Sequence, residues 1–303
     1  MTNASPTIAA PAPANSAAES VPRGSRGYWA TVWLRLCRDK VSMSCAGLLL
    51  GLVAIALCAP WLAPHDPAQG VMSQRLAPIG TPGHWLGTDE LGRDMLSRLM
   101  HGGRTSLMMG LLPVFIAFVF GTGLGVVAGF FGGWLNTLIM RTTDVFFAFP
   151  AVLLAIAISG ALGAGFANAI ISLTLVFIPP IARVAESITT SVRNLDFVDA
   201  ARATGAGAFT LIRVHVLGNV LGPVFIYATS LVSVCMILAA GLSFLGLGVK
   251  PPVPEWGLML NTLRQSIYLQ PWISVLPGLM IFITSLCFNL LSDGLRSAMD
   301  IKR

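Results

Sequence analysis

Charged residues are scarce in this sequence, and their scarcity argues against a soluble fold. Only 11% of the 303 residues are Asp, Glu, Lys or Arg, whereas 55% are hydrophobic. A soluble domain carries roughly 25% charged residues, so this chain has too little polar surface to cover a globule in water. We therefore expect an all-α integral membrane protein whose outer surface faces the lipid bilayer.

The motifs of nucleotide hydrolysis and of metal-dependent catalysis are also missing. A phosphate-binding loop, GxxxxGK(S/T), needs a lysine directly after a glycine, and neither Lys40, Lys250 nor Lys302 follows one. No HExxH motif is present, and the four histidines stand far apart in the sequence at His65, His84, His101 and His215. A nucleophile with a neighbouring base is not found either. The sequence therefore predicts a chain that is not an enzyme, with no metal site and no cofactor of its own.

Disulfide-forming and nucleic-acid-binding patterns are absent as well. No CxxC pair occurs, and the cysteines lie mostly in apolar stretches, which favours small packing residues: Cys37, Cys45, Cys58, Cys235 and Cys287. The formal net charge is +6, but the basic residues are scattered singly between apolar runs. We therefore expect no nucleic-acid partner.

Long apolar runs are what the sequence does contain. A membrane-spanning helix needs roughly 20 apolar residues, and six stretches are candidates: 43–62, 106–131, 145–162, 167–182, 223–247 and 271–292. The fourth is the weakest, because Pro179 and Pro180 are expected to break or kink its last turn. A five-span protein with a re-entrant segment at that position is the alternative.

The distribution of Lys and Arg predicts how these spans are oriented. Most of the 19 basic residues lie on one side if the N-terminus is inside, and an excess of basic residues marks cytoplasmic loops. Six spans then place both termini in the cytoplasm. Residues 1–41 form a cytoplasmic tail, disordered at its Ala-, Pro- and Ser-rich start, and residues 42–303 form the transmembrane domain. Within it, 63–104 is an external segment and 183–222 a cytoplasmic loop.

That cytoplasmic loop is the most informative part of the sequence. Residues 194–204 are good helix formers, and Gly205 and Gly207 can supply a left-handed turn that ends a helix. Residues 208–217 then resume an amphipathic pattern. Two short helices joined by a glycine turn would form a protruding knuckle, a name used below for residues 194–217. An ordinary amphipathic connector on the membrane surface is the alternative.

The knuckle resembles the EAA loop of ABC-importer permeases. The resemblance rests on five residues at the spacing of that loop: Asp199, Ala200, Ala201, Gly205 and Leu217. Two positions depart from it, since Asp199 replaces the usual Glu and Gly218 the usual Pro. The resemblance implies that the loop docks into a groove on a cytoplasmic ATPase. It also implies that Ala200 and Ala201 allow close contact, while Phe209 and its neighbours anchor the second helix.

Three further stretches resemble the dipeptide/oligopeptide/nickel permeases within that family. Residues 84–98 read HWLGTDELGRDMLSR, residues 242–257 read LSFLGLGVKPPVPEWG, and residues 288–296 read FNLLSDGLR. These match the LGTDxxGRDxxSR, SFLGLGxxPPxPEWG and C-terminal stretches of those permeases, in the same order. By this resemblance the chain is identified as the second, C-type permease subunit, with the type I ABC-importer architecture.

The resemblance also implies a function, a location and a set of partners. The chain would help to import peptides, di- or oligopeptides ahead of nickel chelates, across the bacterial inner membrane. ATP-Mg would be hydrolysed by two cytoplasmic ATPase subunits. A second, homologous permease would complete a heterodimer, and an extracytoplasmic binding protein would deliver the substrate. A stand-alone ion-coupled carrier is the alternative from another class, and the nearly charge-free span centres argue against it.

Two local patterns predict helix packing near the inner side of the membrane. Gly121, Gly125 and Gly129 recur at four-residue spacing and predict a face that another helix approaches closely. Asp144, near the inner end of the third span, is expected to pair with Arg141.

Two other patterns concern the outer side. The alternating charges of residues 86–98 predict a short external helix with internal ion pairs, which serves as a scaffold or as a docking surface. Glu255 and Trp256 suit an anchor at the membrane interface.

Overall fold

The computed structural model describes residues 28–299, and this part of the chain is helical without a β-strand. The predicted all-α fold is therefore confirmed. The helices are α1 (Tyr28–Arg38), α2 (Lys40–Leu62), α3 (Met95–Phe131), α4 (Gly133–Phe147), α5 (Ala151–Leu162), α6 (Phe166–Arg193), α7 (Asp196–Ala203), α8 (Ala208–Thr210), α9 (Leu217–Phe244), α10 (Trp256–Leu263) and α11 (Pro271–Met299). Short 3-10 turns occupy Met72–Gln74 and Ser266–Tyr268, and a π-helical stretch, Leu211–Val216, joins α8 to α9.

Five of these helices are long and apolar enough to cross a membrane: α2, α3, α6, the continuous helix Ala208–Phe244, and α11. The pair α4 and α5 makes a sixth span if it is one broken crossing, and its two halves are bent by 90°. The predicted count of about six therefore holds. The prediction of the third span as one continuous helix over 145–162 is wrong, because α4 ends at Phe147 and α5 begins only at Ala151. Pro150 disfavours helical geometry at the residue before it and suits the start of the next helix.

The fourth span is an unbroken helix. Helix α6 continues through Pro179 and Pro180 to Arg193, so the prediction of a break at these prolines is wrong. Pro179 is buried, and the whole helix packs along α3. Packing against neighbouring helices compensates for the backbone hydrogen bonds that proline removes in a membrane helix.

Close contact between α3 and α6 depends on the predicted glycine face. A Cβ atom on Gly121 would lie 2.9 Å from the carbonyl oxygen of Ile178, and one on Gly125 would lie 2.3 Å from that of Ala182. A Cβ on Gly129 would lie 2.7 Å from the carbonyl oxygen of Glu186. The predicted packing face is confirmed, and its partner is α6.

Polar contacts join α3, α4 and α6. The Arg193 guanidinium donates to the carbonyl oxygens of Gly129 and Phe130, at 3.2 and 2.9 Å. It thus supplies donors to the free carbonyls at the end of α3, where a cation is also favoured. Asp144 lies 3.8 Å from Arg141, as predicted, but its closer partner is Arg183 on α6.

Most of the segment predicted to be external folds into a compact cap, residues 63–94, built from turns. The helix predicted for 86–98 is wrong, because α3 begins only at Met95. Asp89 Oδ1 accepts the backbone N–H groups of Leu91 and Arg93, both at 2.9 Å, and such local bonds compete with helix formation. The predicted ion pairs are confirmed: Asp89 Oδ2 lies 2.6 Å from Arg93 Nε and 3.1 Å from Arg98 Nε. Since these three groups are buried, the pairs act as a scaffold.

Glu255 and Trp256 are both about 1% exposed, so the predicted interfacial anchor is wrong. The Glu255 carboxylate caps α10 by accepting the N–H groups of Gly257 and Leu258, at 2.9 and 2.8 Å. It also accepts the hydroxyl of Ser106 on α3 at 2.9 Å. These two residues therefore lock α10 onto α3 inside the protein.

Candidate functional site

The knuckle connects two long helices through very short linkers. Two residues, Asn194 and Leu195, separate α6 from α7, and a short turn leads from α7 into the continuous helix Ala208–Phe244. The sequence predicted a separate second helix over 208–217, and this is wrong. The amphipathic pattern there is the beginning of the fifth membrane helix, entered through the π-helical stretch Leu211–Val216.

The turn after α7 is a Schellman motif centred on Gly205. Gly205 has φ +87°, the left-handed conformation that the sequence predicted, whereas Gly207 has φ −67°. The N–H of Gly205 donates to the carbonyl oxygen of Arg202 at 3.0 Å, and that of Ala206 donates to Ala201 at 3.3 Å. Both bonds are those that define the motif. The reversal therefore depends on one residue in which φ is positive at little cost.

A few buried side chains hold the knuckle to the rest of the chain. Val198 on α7 is fully buried, and Leu211 and Val216, at the start of the second helix, are 2% and 0% exposed. The resemblance implied that Phe209 and its neighbours anchor this helix. Phe209 is 76% exposed in this chain, whereas its neighbour Leu211 is buried.

The other predicted residues lie on the outer surface of the knuckle or at its edge. Asp199, Ala200 and Gly205 are exposed, while Ala201 and Leu217 are partly buried. Asp199 pairs with Arg202 at 2.8 Å, and both side chains are more than half exposed. Such a surface pair contributes little to stability, so both charges are accessible to a partner.

An exposed apolar patch lies on the knuckle, and the sequence pointed to only one of its members, Phe209. Four large side chains there are 43–76% exposed: Leu195, Phe197, Phe209 and Val214. The Phe197 ring lies 6.1 Å from the ring of His215, which brings α7 beside the second helix. Large apolar residues within the polar stretch between two membrane spans are the signal that could have identified these side chains. Large apolar side chains exposed together on one short loop are typical of a protein interaction site.

Two family models match this chain. The binding-protein-dependent transport system inner membrane component matches residues 121–301. The N-terminal TM domain of oligopeptide transport permease C matches residues 27–78. The first match contains the knuckle, and the second covers α1, α2 and the beginning of the cap.

Individual proteins are similar over most of the chain. The glutathione transport system permease protein GsiD of Pectobacterium atrosepticum is 40% identical over 277 residues, covering 91% of this chain and 92% of that protein. The protein of the same name from Escherichia coli O6:K15:H31 is 41% identical, covering 91% of each. Among solved structures, the MetNI methionine ABC transporter in an inward facing conformation has a TM-score of 0.56 at 20% identity. That match covers 67% of this chain and 97% of the other, and at this identity it shows the fold alone.

Proposed function

The chain belongs to the family of binding-protein-dependent transport system inner membrane components, and on this basis we propose that it is the permease subunit of an ATP-driven importer of peptides. Membership confirms the family that the sequence predicted. It is supported by 40–41% identity to two relatives over nine-tenths of the chain and by the permease fold. The chain is therefore a multi-pass membrane protein, and the bacterial inner membrane is its proposed location.

Short peptides are the proposed substrate class. The two similar permeases are named for glutathione, which is a tripeptide, and a second family model is named for oligopeptide transport. Nickel chelates are the alternative within the family. This chain needs no catalytic group of its own for such a role, since a permease supplies the route and the ATPase supplies the energy.

The knuckle is the proposed contact with the ATPase. It combines an exposed apolar patch, accessible charges at Asp199 and Arg202, and a rigid turn at Gly205. Above all, it runs directly into α6 and the helix Ala208–Phe244, and both of these are long enough to cross the membrane. A displacement of α7 would therefore move two membrane helices together, and the tight glycine contact would pass the motion from α6 to α3. This connection is the observation that carries the proposal.

The proposed assembly has four kinds of subunit. Family membership implies ATPase, binding-protein and second-permease partners. We propose two cytoplasmic ATPase chains, one binding protein outside, and a related but different permease that forms a heterodimer with this chain. The groups that hydrolyse ATP-Mg would all lie on the ATPases, and the chain itself would be non-catalytic.

Uptake by intact cells tests the function. A strain that lacks this chain should lose uptake of labelled glutathione or of a labelled dipeptide, and the wild-type chain should restore it. If peptide uptake persists while uptake of chelated nickel is lost, the nickel alternative is correct. If uptake continues when the partner ATPase is inactivated and stops when the proton gradient is dissipated, the chain is an ion-coupled carrier instead.

A further inference from the structure

Three side chains with metal-binding atoms meet where α2 ends and α3 begins. Asp94 Oδ1 lies 2.9 Å from His84 Nδ1 and 3.9 Å from His65 Nδ1. The two imidazole rings are 4.8 Å apart between centroids and tilted by 33°. One ligand atom from each of the three side chains can be chosen so that all lie within 4.8 Å of one another. The sequence predicted no such site, because these histidines are far apart along the chain.

Hydrogen bonds around the cluster orient its members. Asp94 Oδ2 accepts from the backbone N–H and the hydroxyl of Ser97, at 2.8 and 2.7 Å, which leaves Oδ1 toward the histidines. The same hydroxyl accepts the backbone N–H of His65 at 3.1 Å. His84 Nε2 lies 3.0 Å from Gln74 Oε1. These bonds orient the side chains of His84 and Asp94, whereas for His65 they fix only the backbone beside the cluster.

One tautomer of His84 provides a place for a cation between His84 and Asp94. If Nε2–H donates to Gln74, neutral His84 carries a lone pair on Nδ1, facing the Asp94 carboxylate at 2.9 Å. Two acceptors at that distance repel each other unless a proton or a cation lies between them. A histidine that donates its second N–H to an amide or carboxylate oxygen is also the usual outer-shell arrangement of a metal ligand.

The two arginines near the cluster are paired with other carboxylates, so Asp94 is available to a cation. Arg93 and Arg98 are both engaged by Asp89, at 2.6 and 3.1 Å, and Arg93 also binds Glu90 at 2.9 Å. The two guanidinium charges are therefore balanced by two carboxylates. Asp94 remains the acid of the histidine cluster, and its side chain is 1% exposed.

We propose that His65, His84 and Asp94 bind a divalent transition-metal ion of the zinc type, with water as a further ligand. Two imidazoles and one carboxylate suit zinc, whereas magnesium and calcium prefer oxygen ligands alone. In a tetrahedral zinc site the ligand atoms stand about 3.3 Å apart, so His65 must move inward from 3.9 Å, and His84 and Asp94 must separate slightly from 2.9 Å. The side chain of His65 is 42% exposed and free to move. The bound ion would clamp the end of α2 to the beginning of α3.

Calorimetric titration with zinc alone tests this proposal. The full-length chain is purified without a histidine tag, stripped with a chelator and titrated with Zn²⁺ in detergent at neutral pH. We expect one ion per chain and a rise in the thermal unfolding midpoint with zinc concentration. Zinc binding is measured without transport and without partner subunits, so its result is independent of the proposed function.

Two variants and one matched control locate the ion. His65→Gln, at the exposed ligand, should weaken zinc binding by at least about tenfold, and Gln74→Met, which removes the outer-shell acceptor, by about tenfold. His101→Gln removes a histidine one helical turn after Ser97 that lies outside the cluster, and it should bind as the wild type does. The proposal is overturned if the wild type fails to bind zinc, if His65→Gln binds equally well, or if His101→Gln weakens binding as much as His65→Gln.

Discussion

The backbone N–H of Ala206 donates to the carbonyl oxygen of Ala201 at 3.3 Å, across a turn in which Gly205 has φ +87°. A Cβ atom built on Gly205 meets no atom within 4 Å. The requirement for glycine is therefore conformational within this chain, and any steric requirement must come from a partner. This distinction allows the turn and the contact to be tested separately.

Gly205→Val should uncouple uptake from ATP hydrolysis or prevent the ATPase from binding. A β-branched residue at positive φ costs about 1–2 kcal/mol, while Asn adopts this conformation more easily. Gly205→Asn is therefore the matched control, and it should retain more activity than Gly205→Val. Membrane level, ATPase co-purification and peptide uptake are measured for each. Normal uptake by Gly205→Val with the ATPase bound would mean that the knuckle is only a connector.

Phe209→Ala should weaken ATPase binding without destabilising the chain. Phe209 is 76% exposed, and surface substitutions usually change the free energy of unfolding by less than about 0.5 kcal/mol. Truncation of an aromatic anchor at an interface costs about 2 kcal/mol or more, so co-purification of the ATPase should fall strongly. Trp85→Ala, at a residue 77% exposed on the external cap, is the control and should leave co-purification unchanged. Equal co-purification of the two variants would remove Phe209 from the contact.

What the sequence predicted well depends on local pattern, and what it missed depends on neighbours. The long apolar runs revealed α2, α3 and α11, and the glycine spacing revealed the packing face on α3. Pro179 and Pro180 were misjudged because packing against α3 outweighs the local cost of proline. The role of Phe209 was implied by the resemblance to the EAA loop, and it stays a prediction, because its exposure in this chain leaves it available to a partner.

The cluster of His65, His84 and Asp94 was missed for a related reason. No spacing rule links residues that only an irregular cap brings together, and the residues between His65 and Asp94 fold by turns. Glu255 and Trp256 were misplaced for the same reason. A charged residue beside a tryptophan suggests a membrane interface, and the sequence does not show that Glu255 has a buried partner in Ser106.

Gly125→Ala should destabilise the fold, while Gly123→Ala should not. A Cβ on Gly125 would lie 2.3 Å from the carbonyl oxygen of Ala182, and this backbone atom cannot move without moving α6. A Cβ on Gly123 would have no atom within 4 Å. Forcing α3 and α6 apart should cost about 1–3 kcal/mol. Thermal unfolding in detergent measures both variants. Equal midpoints for the two would show that α3 and α6 do not approach as closely as described.

Glu255→Ala should destabilise the chain more than Glu255→Gln. The alanine leaves the N–H groups of Gly257 and Leu258 and the hydroxyl of Ser106 without their acceptor, and each unsatisfied buried group costs about 1–3 kcal/mol. The glutamine keeps the shape and one acceptor oxygen, so it should lie between alanine and the wild type. Unfolding midpoints and membrane levels rank the three. A glutamine variant as unstable as the alanine variant would mean that the negative charge itself is required.

Cysteine labelling should show how often the chain crosses the membrane before the knuckle. Helix α5 has 12 residues and is about 18 Å long at 1.5 Å per residue, shorter than the bilayer core. It can complete a crossing only together with α4, which lies at 90° to it. If the bent pair crosses, the knuckle is on the same side as the N-terminus; if it is re-entrant, the knuckle is on the side of the external cap.

Three exposed positions distinguish these topologies: Ser73 on the cap, Thr210 on the knuckle and Gln265 after α10. Each is changed to cysteine in a background where the exposed Cys37 is serine, and intact cells are treated with an impermeant reagent. We expect labelling at Ser73→Cys and Gln265→Cys, and labelling of Thr210→Cys only after the cells are permeabilised. Because α3 and α6 are both long enough to cross, the side on which Thr210 lies depends on the bent pair alone. Labelling of Thr210→Cys in intact cells would make that pair re-entrant and would place the knuckle out of reach of a cytoplasmic ATPase.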